Sequence, residues 1–152
     1  MAQVQLSEQK ILDIARRFRA ALNQVDASLW AHVAVTDFPK AACGHASEML
    51  GKHLRELLGV DPVYVVKDNY EPGGSWQGGH AWLEIDDLVI DITGDQFGWE
   101  PVIVSRSSKR HAEGELNRRG PLTNDEQWWG RYGAPIYEVA TAMVPFVEIG
   151  DL

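Results

Sequence analysis

The sequence predicts a single α+β domain over residues 1–152, in which N-terminal helices pack on an antiparallel β-sheet. Two observations predict this class: apolar residues recur at helical spacing up to Gly59, and short β-branched and aromatic runs separated by turn residues follow it. The chain is 45% hydrophobic and 24% charged, which is typical of globular domains and excludes collagen-like, coiled-coil and wholly disordered chains. Its 152 residues are enough to bury one sizeable core.

Residues 7–23 form the first predicted helix. Ser7 is suited to cap the N-terminus, and apolar residues repeat every three or four positions along one face. These apolar residues are Ile11, Ile14, Ala15, Phe18 and Leu22. The arginines of this segment, Arg16, Arg17 and Arg19, are assigned to the opposite, solvent-exposed face.

Residues 43–58 form the second predicted helix, again with an apolar stripe. Gly59 supplies the left-handed residue that ends many helices. Because a proline disfavours helix at the residue before it, Pro39 confines the helix start to the interval between Pro39 and Cys43. We therefore expect Cys43 in or just before the first helical turn.

The remainder of the chain is predicted to form a sheet. Four short runs have strand composition: Val63–Lys67, His80–Ile85, Leu88–Ile92 and Pro101–Ser105. Residues 105–135 are polar and broken by glycine and proline, and Trp128 and Trp129 are expected to anchor this segment to the core. Residues 139–149 are predicted to form a last strand, at an edge or a bulge because of Pro145.

The net charge limits the partners. Lysine and arginine total 14 against 22 aspartate and glutamate residues, which gives a formal charge of −8 and opposes binding to phosphate backbones or anionic membranes. The apolar runs are too short to span a membrane, and the first residues lack the features of a secretory signal. We expect a cytoplasmic protein with a protein or peptide substrate, no nucleic-acid partner and no membrane partner, and leave its oligomeric state open.

Cys43 is the one cysteine, so the chain forms no internal disulfide and no cysteine-rich zinc site. A helix N-terminus favours the thiolate, because unpaired amides and the helix dipole stabilise negative charge. The same amides can donate to an oxyanion. Position alone leaves two interpretations of Cys43 open, a nucleophile and a buried structural residue.

His80 and Asp91 favour the nucleophile. A two-residue turn at Ile85-Asp86 or at Asp86-Asp87 places both residues on one face of a hairpin, directly opposite in the first register and diagonal in the second. A carboxylate there can accept a hydrogen bond from one imidazole nitrogen, which fixes the tautomer and leaves the other nitrogen to take the thiol proton.

Three local strings in this order resemble the transglutaminase-like branch of the papain-like superfamily. The string His80-Ala81-Trp82-Leu83-Glu84-Ile85 is similar to the family's His-Ala-Trp-Val-Glu-Val strand. Asp91-Ile92-Thr93 is similar to its Asp-Pro-Thr segment, with Ile92 in place of proline. Ala42-Cys43-Gly44 is similar to the cysteine-bearing helix. The resemblance covers residues 38–97, and small relatives include lasso-peptide maturation proteases and arylamine N-acetyltransferases.

The resemblance implies a papain-like fold and a Cys43-His80-Asp91 triad that works through an acyl-enzyme without a cofactor. We expect amide hydrolysis, by a peptidase or a glutamine deamidase. An amine acyltransferase or transglutaminase, an effector domain with the same triad, and a non-catalytic interaction module remain alternatives.

Three further residues are assigned to substrate binding: Trp76, Trp82 and Gln96. For Trp76, in the glycine-rich loop between the first two strands, packing is an equal alternative; for Gln96, the alternative is an ordinary turn. No second oxyanion donor is assigned, because Gln24, Trp30 and Gln96 match no family spacing. No metal is expected either, because Cys43, His45, His80 and Asp91 have suitable donor atoms but no zinc-motif spacing.

Overall fold

The computed structural model describes residues 7–68, 79–150 and 152, and shows a mixed α+β architecture with an open five-stranded antiparallel sheet. The helices are α1 (Glu8–Asn23), α2 (Ala27–Ala31), α3 (Cys43–Leu58), α4 (Lys109–Ala112), α5 (Glu126–Trp128) and α6 (Ala134–Met143). The strands are β1 (Val63–Asp68), β2 (His80–Ile85), β3 (Leu88–Asp91), β4 (Ile103–Ser105) and β5 (Glu115–Pro121). Helical turns of other types span Gly94–Phe97, Trp129–Gly133 and Val144–Phe146.

Helix α1 begins where its capping residue predicts. The side chain of Ser7 accepts a hydrogen bond from the Lys10 amide, which satisfies one of the orphan donors of the first turn. The assignment of Arg19 to the solvent-exposed face is wrong. Arg19 is 4% exposed, and its guanidinium donates to the Ile92 carbonyl at 2.7 Å and to both carboxylate oxygens of Asp95. This ion pair links α1 to the segment directly after β3, which contains Ile92 and Asp95.

Helix α3 has the predicted bounds. It starts at Cys43 and ends at Leu58, and the next residue, Gly59, has a φ of 67°, the left-handed conformation expected of a helix-terminating glycine. Ala42 precedes the helix and provides no side-chain cap. The side chain of the N-cap residue therefore accepts no hydrogen bond from the first backbone amides of α3.

The sheet has the strand order β4-β3-β2-β1-β5, with every neighbouring pair antiparallel. In the β2–β3 hairpin, Ile85 pairs with Leu88 across a turn at Asp86-Asp87. This is the second of the two predicted registers. It places Asp91 diagonally opposite His80 and on the same face of the sheet.

The two faces of the sheet bury different clusters. Leu83 and Ile90 join the main core, formed with the apolar faces of α1, α3 and α6. Val65, Trp82 and Val89 form a second cluster. Because successive side chains in a strand alternate between faces, His80 and Asp91 share the face of Trp82 and Val89.

The C-terminal third differs most from the sequence prediction. The predicted strand over residues 139–149 is wrong: Ala134–Met143 is helical, with Pro135 in the first turn and a short helical turn at Val144–Phe146. Proline is well suited to the first turn of a helix, since the amide that it lacks is unpaired there. Strand β5, which pairs with β1, lies inside the segment predicted to be irregular. Trp128 and Trp129 pack against the main core, as predicted.

Across the part of the chain that the structure describes, no helix has the length and apolar character needed to span a membrane.

Candidate active site

Cys43 lies at the N-terminus of α3, with its side chain against the start of β2. The thiol is half-buried and lies beside the imidazole of His80 and the backbone amide of Ala81, both of which favour its negatively charged form. Helix α3 is docked there by Ser47, whose hydroxyl donates to the Ala81 carbonyl at 3.3 Å. The backbone of Ala81 in β2 thus contacts both the helix and the sulfur.

His80 and Asp91 are fully buried and hydrogen-bonded. Nε2 of His80 lies 2.7 Å from Oδ2 of Asp91, and the two residues are 0% and 1% exposed. The other carboxylate oxygen, Oδ1, accepts from the Thr93 amide at 2.9 Å. Because Asp91 holds Nε2 of His80, Nδ1 is the imidazole nitrogen left for the thiol.

A second histidine completes the surroundings of the carboxylate. Nε2 of His111, on α4, also lies 2.7 Å from Oδ2 of Asp91, and His111 is 2% exposed. The hydroxyl of Ser108 lies 2.5 Å from Nδ1 of His111. Since a nitrogen facing a carboxylate carries the ring proton, Nε2 of His111 donates to Asp91, and Nδ1 accepts from Ser108. Neither His111 nor Ser108 was predicted from the sequence to belong to the site.

The backbone of α4 is held against β1. The ammonium of Lys67 donates to the carbonyls of His111 and Glu113, at 2.7 and 3.1 Å. The His111 ring meets the Trp82 ring edge to face, with 4.8 Å between their centroids. These contacts fix the position from which His111 reaches Asp91.

The residues assigned to substrate binding have three different placements. Nε2 of Gln96 lies 3.3 Å from Nδ1 of His80, and the amide also donates to the Thr93 hydroxyl. The side chain of Trp82 is fully buried beside His80, with its indole donating to Glu84. Trp76 lies outside the described residues. Of these residues, Gln96 thus places a polar side-chain group beside His80.

The surroundings shift the pKa values toward an ion pair. Burial alone would raise the pKa of the Cys43 thiol, but the hydrogen bond and charge of His80 and the Ala81 amide outweigh burial and lower it below the ordinary 9.0. Burial opposes a charged His80 as well, but the negative charge and hydrogen bond of Asp91 raise the pKa of His80 to about 9. Burial works against ionised Asp91, yet the charge of His80 and the hydrogen bonds from His111 and His80 hold the pKa of Asp91 well below its usual range. The surroundings thus favour the charged forms of both partners, a thiolate beside an imidazolium.

His80, Asp91 and His111 are also the kind of side chains that ligate metals. Their candidate ligand atoms lie within 4.8 Å of one another. Both Nε2 atoms lie 2.7 Å from Oδ2. By contrast, neighbouring ligand atoms around a tetrahedral zinc with bonds of 2.0–2.1 Å are about 3.3 Å apart. The observed spacing is that of hydrogen bonds. His45, a candidate ligand by its donor atoms, stacks on Trp128.

Comparisons with protein-family models, with curated proteins and with solved structures find no match to this chain. The resemblance to the transglutaminase-like superfamily therefore stays a prediction from the sequence motifs.

Proposed function

We propose that the chain is a cysteine-dependent acyl-transfer enzyme of transglutaminase-like fold that hydrolyses an amide bond in a protein or peptide. One observation carries the proposal: the Cys43 thiol lies beside the imidazole of His80, which favours the thiolate, and Nε2 of that imidazole lies 2.7 Å from the buried carboxylate of Asp91. A nucleophile bonded to a base that a third group orients is the arrangement that thiol acyl transfer requires. The proposed compartment is the cytoplasm, where a lone thiol stays reduced.

In the proposed reaction, the Cys43 thiolate attacks the carbonyl carbon, and a carbon–sulfur bond forms while the carbonyl π electrons move to oxygen. The oxyanion accepts from the Cys43 backbone amide and, as we assign it, from the side-chain amide of Gln96. The intermediate then expels the amine, which takes the proton from Nδ1 of His80. Water, deprotonated by His80, attacks the resulting thioester, releases the carboxylic acid and restores the thiolate.

Gln96 is assigned as the second oxyanion donor because of its position. Its amide nitrogen lies 3.3 Å from Nδ1 of His80, the nitrogen left for the thiol. Once Nδ1 carries a proton, it needs no donor, and the Gln96 amide is available to the oxyanion. The assignment fills the role that the sequence left open.

Asp91, His111 and Ser108 hold the base in the proposed mechanism. Ser108 fixes the His111 tautomer, His111 donates to Asp91, and Asp91 in turn keeps the proton of His80 on Nε2. His111 touches neither the thiol nor the carbonyl under attack in this mechanism, so it is a positioning residue.

The pH dependence of Cys43 alkylation by iodoacetamide tests the proposal. We expect an alkylation midpoint below 9.0 in the native chain, because the thiol pKa is lowered. His80→Ala removes the cation beside the sulfur and should move the midpoint upward. The matched control is His32→Ala, since His32 is exposed and does not belong to the site. A midpoint that is the same in the native chain and in His80→Ala would leave the non-catalytic module as the better interpretation.

The acceptor is identified by the products. We expect a peptide or glutamine substrate to release amine or ammonia and a free carboxylate in step, with no dependence on added primary amine. A covalent amide to an added amine would instead identify a transferase.

A further inference from the structure

A pocket of about 300 Å³ lies beside the N-terminal half of α3. Gly44, which follows Cys43 directly, and Glu48, about one turn further on, line one side of it. Tyr64 of β1 and Trp128 of α5 line other parts. Cys43, His80 and Asp91 do not line it, so the pocket is a neighbour of the proposed triad and separate from it.

The charge of this pocket is negative. Glu48 and Asp125 both line it, and its described lining contains no lysine or arginine. Glu48 is 8% exposed, and its carboxylate accepts from the Thr123 amide at 2.8 Å. Nearly complete burial of a carboxylate is costly without a compensating charge, which favours a cation in the pocket.

The nearest cations of the chain lie outside the lining. The guanidinium of Arg118 lies 5.6 Å from the centre of the Tyr64 ring, and both Arg118 and Arg55 attract Glu48 through space. Desolvation by burial nevertheless leaves the pKa of Glu48 above its ordinary value. The positive charge already present therefore does not fully compensate the buried carboxylate.

The walls suit a long or flat basic side chain. The rings of His45 and Trp128 stack with 5.7 Å between centroids and 5° between planes. Burial lowers the pKa of His45, which disfavours a positive charge on this ring. Alkyl stems and guanidinium groups pack well on aromatic faces, with the charged end toward a carboxylate.

We propose that this pocket binds a lysine or arginine side chain of the polypeptide substrate, next to the carbonyl that Cys43 attacks. The formal charge of −8 attracts such a substrate as a whole. The link to Cys43 rests on the proposed function, whereas the binding of a basic side chain does not.

The first test measures binding without catalysis. The Cys43→Ala protein is titrated with Nα-acetyl-arginine methylamide, Nα-acetyl-lysine methylamide and, as the uncharged control, Nα-acetyl-norleucine methylamide. The indole N–H resonance of Trp128, assigned with Trp128→Phe, reports binding. We expect saturable shifts with the basic compounds, and at least tenfold weaker binding of the norleucine compound.

Two glutamate variants locate the charge that binds. Glu48→Gln keeps the shape and an acceptor for Thr123, and should weaken binding of the basic compounds about tenfold. Glu138→Gln makes the same charge change at an exposed position of α6 and should leave binding unchanged. Equal affinity for arginine and norleucine compounds, or equal affinity in Glu48→Gln and the native pocket, would overturn the proposal.

The second test connects the pocket with the thiol. In the protein that retains Cys43, a saturating arginine compound should slow iodoacetamide alkylation threefold or more, and Glu48→Gln should abolish that protection at the same concentration. Binding without protection would refute the assignment to a substrate of Cys43. If alkylation does not depend on His80 while basic compounds still bind and protect, the proposed catalysis fails and the pocket stands.

Discussion

Replacing Asp91 with asparagine perturbs the proposed site most sharply, because the shape is kept and the charge removed. Oδ2 of Asp91 lies 2.7 Å from Nε2 of His80 and equally close to Nε2 of His111. An asparagine side chain has one acceptor oxygen, which cannot replace both oxygens of a carboxylate. The variant therefore loses the negative charge that favours imidazolium at His80.

The size of the effect follows from the charge separation. Two charges delocalised over a carboxylate and an imidazolium, about 4 Å apart at an effective dielectric constant of about 20, attract by about 4 kcal/mol, or about three pKa units. His80 has a pKa of about 9 in the native chain, and would titrate at about 6 in Asp91→Asn. At neutral pH, the thiol then lacks its cationic partner.

The assay is the rate of Cys43 alkylation by iodoacetamide between pH 5 and 10. Each unit by which the thiol pKa rises above 7 lowers the thiolate fraction at pH 7 about tenfold, and we expect Asp91→Asn to slow alkylation at pH 7 by about tenfold. Asp86→Asn is the matched control, because Asp86 lies in the exposed turn of the same hairpin.

The result that refutes this reasoning is an Asp91→Asn protein that remains folded, by circular dichroism, and whose alkylation profile overlays that of the native chain. In that case, the carboxylate would not govern the state of His80, and the hydrogen bond between them would have a structural role alone.

Three other substitutions test the supports of the site. His111→Phe removes one hydrogen-bond donor from Asp91, which strengthens the remaining bond to His80. The variant should therefore raise the pKa of His80, followed by NMR titration, by on the order of half a unit, whereas His111→Gln keeps a donor and should not. An unchanged pKa of His80 in the phenylalanine variant would mean that His111 has only a packing role. Gly94→Ala should lower the melting temperature by roughly 4–8 °C, because its Cβ would lie 2.5 Å from the carbonyl oxygen of Glu100, while Gly120→Ala, with open space around it, should not. Arg19→Met leaves the Asp95 carboxylate without its buried partner and should cost about 3 kcal/mol in denaturant unfolding; a cost under about 1 kcal/mol would contradict that role.

The elements that the sequence predicted well are those with strong local signals. Helix α3 is bounded by a glycine with a positive φ at one end and a nearby proline at the other, and the β2–β3 hairpin is bounded by a two-residue turn at Asp86-Asp87. Strand β5 lacked such a signal, because its residues are mostly exposed and it is held by backbone pairing with β1. Helix α6 was mistaken for a strand because Val139 and Val144 favour strands locally, although Ile136, Tyr137 and Ala140 are buried on one side of a helix.

The site shows the same difference between residues placed by a local sequence signal and residues placed by tertiary contacts. His80 and Asp91 lie on adjacent strands, so that the alternation of side chains together with a two-residue turn was enough to place them on one face.

His111 reaches the same carboxylate from a four-residue helix inside a charged run, and neither periodicity nor spacing connects it with β3. The one local signal is Ser108, three residues earlier, whose side chain caps α4 and also contacts the His111 ring. A serine that caps a short helix predicts a turn but not which carboxylate the turn faces. That information is carried by tertiary contacts such as those of Lys67 with the α4 backbone, which position His111 over Asp91.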